Sequence, residues 1–128
     1  MPAYYSFDID EDSKDIILHV LKWNASISWS NVSEKDSKQI RTNINDAIYR
    51  TERRVPQYTE KKVLVIVECI DSFIYALSPI SENSYRSNPV PHCRSKARCI
   101  SYLRDIRQVF VDALARHGVS LTHERPHG

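Results

Sequence analysis

The first third of the chain contains short runs in which apolar and polar residues alternate. Residues 3–9 place Tyr5, Phe7 and Ile9 on one face, which is the period of a half-buried strand. Residues 15–23 (DIILHVLKW) are apolar without a clean period. We interpret them as a strand paired with the first, with a short helix as the alternative. Residues 26–30 (SISWS) alternate again, so this third of the chain is expected to be mostly extended.

A helix is predicted at residues 33–55. Ser33 and Asp36 have the spacing of a capping box in which Asp36 takes the usual place of Glu. Its apolar stripe at helical spacing consists of Ile40, Ile44, Ala47, Ile48 and Val55. The cations at its C-terminal end, where they suit the negative pole of the helix dipole, are Arg50, Arg53 and Arg54. Pro56 is expected to stop the helix.

The second half of the chain predicts a hairpin, a long loop and a second helix. The β-branched run at residues 63–67 is typical of a central strand, and residues 73–77 would return beside it after a turn at residues 71–72. Residues 79–91 are polar and rich in Ser, Asn and Pro, as in a loop. The last helix would begin near Ser95 and end at Gly118. The apolar stripe of this helix consists of Ile100, Leu103, Ile106, Phe110 and Leu114.

These elements predict a single α+β domain over residues 1–122, with a flexible tail at 123–128. Residues 119–122 would add a short edge strand. The order β-β-β-α-β-β-α indicates a two-layer sandwich, in which a mostly antiparallel sheet of about five strands carries two main helices on one face.

Composition excludes several classes of site. Only Gly118 and Gly128 occur, so the chain has none of the glycine-rich motifs that bind dinucleotides or nucleotide phosphates. Three cysteines, an odd number, are expected to be free thiols. The chain shows no secretory signal and no apolar run of membrane-spanning length. We therefore expect an intracellular protein, cytoplasmic or nuclear, that does not contact a membrane.

Candidate metal and catalytic sites are weak. The cysteines and histidines that come closest to a zinc pattern are Cys69, His92, Cys93, Cys99, His117 and His123, and their spacing does not match a structural zinc site. The acidic run at residues 8–12 lacks the later ligands of a calcium loop and is expected to be a solvated turn. We expect no metal, no cofactor and no catalytic side chain in the predicted elements.

The N-terminus offers one enzymatic alternative. Met1-Pro2 followed by a predicted strand resembles the tautomerase superfamily, whose members use the N-terminal proline amine as an acid and base. The resemblance covers residues 1–7 and the general size, and it implies a role for Pro2 alone. It departs from that superfamily at residues 15–30, where the superfamily has a long helix.

Aromatic residues favour a protein-binding function. The chain has seven tyrosines and two tryptophans, and aromatic residues are enriched at protein interfaces. Four of them come from predicted strands near the sheet edge: Tyr4, Tyr5, Trp23 and Trp29. The leading hypothesis is a small non-enzymatic assembly module that binds a protein partner, acting as a homo-oligomer or as a subunit of a complex.

Charge asymmetry supports nucleic acid as the alternative partner. Residues 1–36 carry three Lys against seven Asp and Glu, and residues 86–128 carry eight Lys and Arg against three acids. The candidate anion-binding residues of the basic half are Arg86, Arg94, Lys96, Arg98, Arg104 and Arg107. Several of them lie where the last helix begins. Cations oppose the helix dipole there, so an anion among them is expected.

Overall fold

Five helices and one two-stranded sheet form the described part of the protein. The computed structural model describes residues 4–27 and 32–118. In chain order the elements are β1 (Tyr4–Ser6), α1 (Glu11–Ser26), α2 (Glu34–Thr51), β2 (Gln57–Thr59), α3 (Glu60–Leu77), α4 (Glu82–Ser87) and α5 (Lys96–Arg116). The fold is mostly helical. The predicted α+β sandwich with about five strands is therefore wrong.

Residues 15–23 belong to α1. They were interpreted as a strand, which is wrong; the alternative, a helix, is confirmed. Asp10 caps the helix: its carboxylate accepts a hydrogen bond from the Ser13 backbone N–H at 2.7 Å. Acidic residues fill the first turn, where they suit the positive pole of the dipole. The fully buried side chains recur at helical spacing: Ile16, Ile17, Val20, Leu21 and Asn24.

Residues 63–67 and 73–77 are not a hairpin but parts of one helix, α3. Thr59 caps its start, and residues 71–72, predicted as a turn, lie in the middle of the helix. β-branched residues disfavour a helix only weakly, by a few tenths of a kcal/mol each, and burial readily overrides that preference. The buried face of α3 consists of Val63, Ile66, Val67, Ile70, Phe73 and Leu77.

The two predicted helices are present as α2 and α5, but the extension of the first helix to residue 55 is wrong, because Val55 lies after α2 and is 58% exposed. Ser33 and Ser95 are their N-caps, each accepting a backbone N–H from the residue three positions later. Helix α2 ends at Thr51, before Pro56. Gly118 follows α5 with a φ of +82°, a left-handed conformation that glycine adopts without steric cost. The predicted loop at 79–91 contains the short helix α4.

Helix α3 is the centre of the fold and packs against α1, α2 and α5. The sheet covers one end of the core, with β1 and β2 antiparallel and Tyr5 opposite Tyr58. Below it, the rings of Phe7 and Phe110 lie 4.6 Å apart, and both contact the ring of Tyr58. The Tyr58 hydroxyl is 2.7 Å from Thr51 Oγ1, so this buried polar group has a partner.

Three predictions lie outside the described residues. They are the edge strand at 119–122 with its tail, the proline at position 2, and most of the third predicted strand at 26–30. Among the described residues, no helix is long and apolar enough to cross a membrane.

A buried tyrosine that fixes the segment before α5 gives a test of the fold. The Tyr85 hydroxyl donates to Cys93 O at 2.7 Å and accepts from Val90 N–H at 3.2 Å. Tyr85→Phe leaves both backbone groups without this partner, so we expect the free energy of unfolding to fall by about 1–3 kcal/mol. Urea denaturation followed by circular dichroism measures this change. Tyr75→Phe, at an exposed position, is the control and should leave the free energy of unfolding unchanged. An equal loss of stability in the two variants would contradict the stabilising role of the buried Tyr85 hydroxyl.

Candidate binding groove

A groove lies between α2 and α3, with the C-terminal part of α1 beneath it. Its volume is about 580 Å³. The residues that carry the argument are Asn24 from α1, Ile40 from α2, and Lys61, Leu64, Glu68 and Tyr75 from α3. We call this surface the α2–α3 groove. It combines partly buried apolar side chains with charged ones.

The helical period of α3 produces one wall of the groove. Lys61, Leu64, Glu68 and Tyr75 are three, four and seven residues apart, so they share one face of the helix. This face is turned away from the buried face that contacts the core. This shared face was not predicted from the sequence, because residues 63–67 were interpreted as a strand, in which alternate side chains lie on opposite sides.

Helix α2 is tied to α3 at one end of the groove. The ammonium of Lys62 donates to Asn43 Oδ1 at 3.2 Å and lies 3.5 Å from Asp46 Oδ2. Toward its N-terminus, α2 buries little: its buried residues all lie in its C-terminal half. Ile40 is the partly buried apolar residue that this first half contributes to the core cluster. The groove therefore lies beside a helix half that is only lightly packed on its own chain.

Asn24 leaves one hydrogen-bond acceptor unused beside the groove. Its side chain is fully buried, and its Nδ2 donates to Val20 O at 2.9 Å and to Cys69 O at 3.1 Å. Its Oδ1 has no partner among the described residues. A buried acceptor without a donor costs about 1–3 kcal/mol. The groove lining thus includes a buried acceptor that no group of the described residues satisfies.

The groove contains a buried cysteine. Cys69 contributes to its lining, and burial raises the pKa of the Cys69 thiol to about 12. The thiol is therefore neutral near pH 7 and is a poor nucleophile. Within residues 4–27 and 32–118, no cluster of three or more His, Cys, Asp or Glu could hold a metal ion.

The predicted sheet-edge aromatic residues do not lie together at one sheet edge. Tyr4 is exposed on β1, whereas Tyr5 is buried beside it. Trp23 lies on α1 and is partly buried, with its ring edge-on to Phe73 at 5.2 Å. Trp29 lies outside the described residues. Their common role in partner binding stays a prediction, but the large sheet on which it depended is not part of the described structure.

Three of the six predicted anion-binding cations have partners among the described residues. Lys96 Nζ donates to Ser78 O at 2.9 Å and to Ile80 O at 2.8 Å, where α3 ends. Arg107 on α5 makes a bidentate pair with Asp71 on α3, at 2.7 and 3.2 Å. Arg86 lies 3.4 Å from Glu82.

Glu82 also supplies the anion expected at the start of the last helix. Its Oε2 accepts the Lys96 backbone N–H at 2.9 Å, so a carboxylate of the same chain satisfies the N-terminus of α5. The other three predicted cations, Arg94, Arg98 and Arg104, are exposed. Their binding of nucleic acid stays a prediction.

His92, Cys93 and Cys99 separate into two environments. Cys93 and Cys99 are buried, and burial raises the pKa of the Cys93 thiol to about 12. His92 is exposed and has a φ of 65°, which is uncommon for a residue with a side chain. Its Nε2 lies 2.9 Å from Asp15 Oδ2 and 3.5 Å from Asp12 Oδ1. The histidine therefore links the segment before α5 to the first turns of α1.

Comparison with models of known protein families, with curated proteins and with solved structures gave no match.

The His92 contact predicts a pH dependence of stability. The hydrogen bond to Asp15, together with the nearby charges of Asp12 and Asp10, raises the pKa of His92 above its ordinary value of 6.5. A raised folded-state pKa stabilises the fold fully below pH 6.5, and the stabilisation is lost as pH rises through the folded pKa. We expect His92→Asn, which keeps a residue tolerant of positive φ, to be destabilising at pH 5.5 and nearly neutral at pH 8.5.

Urea denaturation of the wild type and the variant at both pH values measures this difference. Titration of His19 and of other groups is common to both proteins and cancels in the comparison. A variant that is equally destabilised at both pH values would show that backbone conformation, and not the ion pair, is what His92 contributes.

Proposed function

We propose that this chain is a non-enzymatic binding module whose α2–α3 groove takes an amphipathic helix of a partner protein. The observation that carries the proposal is Tyr75: its side chain is 82% exposed on the helix face that also carries Leu64, and both residues line the groove. Tyrosines of this kind are frequent energetic centres of protein interfaces.

The dimensions favour a helix over a small molecule. From Lys61 to Tyr75 the groove wall runs about 21 Å, at 1.5 Å rise per residue, which is about four turns of a bound helix. A small-molecule site encloses about 70–90% of its ligand, whereas Tyr75 stands almost fully in solvent. A surface that is long and shallow in this way matches the helix-in-groove mode of recognition.

The lining defines the chemistry of the partner helix. Leu64 and Ile40 require apolar side chains at i, i+3, i+4 and i+7. Lys61, exposed at one end, favours an acidic residue at the matching end of the partner.

Selection from a displayed library of helical peptides tests the proposal. We expect enriched sequences to share apolar residues at helical spacing and one acidic residue near an end. Binding of a selected peptide should weaken at least about tenfold in Tyr75→Ala, as interface tyrosines commonly do, and should also weaken in Lys61→Glu. Val109→Ser removes an exposed apolar side chain on α5 and is the matched control.

Three results would contradict the proposal. One is the absence of a shared helical pattern among the selected peptides. The second is equal loss of binding in Val109→Ser and Tyr75→Ala. The third is a wild-type dimer by light scattering that Tyr75→Ala converts to a monomer, which would assign the groove to a second copy of this chain.

A further inference from the structure

A buried lysine without a carboxylate partner lies beneath the C-terminal end of α2. Lys14, on α1, is only 9% exposed. Its Nζ donates to Arg53 O at 2.9 Å, and among the described residues no carboxylate lies within ion-pair distance of it. Buried lysines are almost always paired with an opposite charge. The α2 carbonyls and the helix dipole offset only part of this charge.

Two further cations above Lys14 also lack acidic partners. Arg53 and Arg54 are exposed, and among the described residues neither has a carboxylate within ion-pair distance. Arg50, beside them, is paired with Asp46 at 3.0 Å. We call Lys14, Arg50, Arg53, Arg54 and the two tyrosines next to them, Tyr4 and Tyr49, the α2-end cluster.

The positive charge of the α2-end cluster exceeds what the helix terminus requires. Cations at the end of a helix commonly do no more than neutralise its last carbonyls. Here Lys14 binds the Arg53 carbonyl and Arg50 donates to Gln57 O at 3.4 Å, and both carbonyls lie after Thr51, where α2 ends. The guanidinium groups of Arg53 and Arg54 remain as surplus charge at the surface, and Glu52 is the carboxylate of the same turn.

The α2-end cluster also contains two exposed tyrosine rings, each with an arginine guanidinium over one face. Tyr49 is 64% exposed and Tyr4 is 53% exposed. The guanidinium of Arg53 lies 5.9 Å from the centre of the Tyr49 ring, and that of Arg50 lies 5.9 Å from the centre of the Tyr4 ring. A planar ring has two faces, so a ring that contacts a guanidinium on one face can accept a flat ligand on the other.

We propose that the α2-end cluster binds single-stranded nucleic acid. The surplus cations would contact the phosphates, and Tyr4 and Tyr49 would stack on unpaired bases, which is how proteins bind single strands with little regard to sequence. An acidic protein could also contact the cations and the rings, so the two ligands are distinguished by whether affinity depends on stacking at Tyr49. This surface is separate from the α2–α3 groove and does not depend on the function proposed for it.

Fluorescence anisotropy with a labelled 20-nucleotide oligouridine tests the charges. We expect Arg53→Ala/Arg54→Ala to weaken binding about tenfold or more at 0.15 M salt. The slope of log affinity against log salt should become shallower by about 1.4, which is ~0.7 for each phosphate that the variant no longer binds. Lys35→Ala/Lys38→Ala removes the same charge from exposed positions in the first turns of α2 and should bind as the wild type does. Arg94→Ala/Arg98→Ala compares the cluster with the other candidate anion-binding surface, near the start of α5.

Two substitutions of Tyr49 test whether binding requires an aromatic ring. Tyr49→Phe keeps a ring for stacking and should retain wild-type affinity, whereas Tyr49→Leu should weaken binding about fivefold or more, as expected when one base can no longer stack. A duplex of the same length should bind more weakly than the single strand, because its bases are already stacked on one another.

Several outcomes would overturn the proposal. They are no binding of the oligonucleotide at 0.05 M salt, a larger loss of affinity in Arg94→Ala/Arg98→Ala than in Arg53→Ala/Arg54→Ala, and full competition by polyglutamate with no effect of Tyr49→Leu. The last result would identify an acidic protein surface as the ligand. None of these results bears on the peptide-binding test, because the two surfaces share no residue.

Discussion

The burial of α3 is the constraint on which the rest of the structure depends. This helix carries a run of β-branched residues at 63–67, and three neighbouring helices cover its apolar side. Each fully buried Val, Ile or Phe contributes about 1.5–3 kcal/mol relative to an exposed one. That gain is far larger than the helix-propensity cost of the same residues. Helices α1, α2 and α5 therefore assemble around α3.

The remaining face of α3 is what makes a binding surface available. Helix α2 is joined to α3 by a short connection that includes β2, and Lys62 ties the two helices together near that connection. Farther along, α2 buries little and the two helices enclose the α2–α3 groove. Among the described residues, no helix covers this side of α3, which is why Leu64 and Tyr75, on the same helix as the core residues, line the α2–α3 groove.

Local signals in the sequence predicted the ends of elements better than their type. Ser33 and Ser95 identified the starts of α2 and α5, because a capping hydrogen bond involves residues only three apart. Whether residues 15–23 and 63–67 form a helix or a strand depended on contacts with distant parts of the chain. Among the site residues, Lys96 and Arg107 were recognised as cations, but their carbonyl and carboxylate partners on and after α3 could not be read from spacing. The groove escaped prediction because its wall was interpreted as a strand.

The sequence by itself determined the caps, the two amphipathic helices, the lack of glycine-dependent phosphate motifs and the positions of the charges. Each of these depends on residue identity or on neighbours within a few positions. Only the tertiary structure decided that the apolar run at 63–67 is a helix, that Glu82 satisfies the start of α5, and that Lys14 lies under Arg53. The physical reason is that these contacts join residues far apart in sequence, 14 positions for Glu82 with Lys96 and 39 for Lys14 with Arg53, whose proximity exists only after the chain has folded.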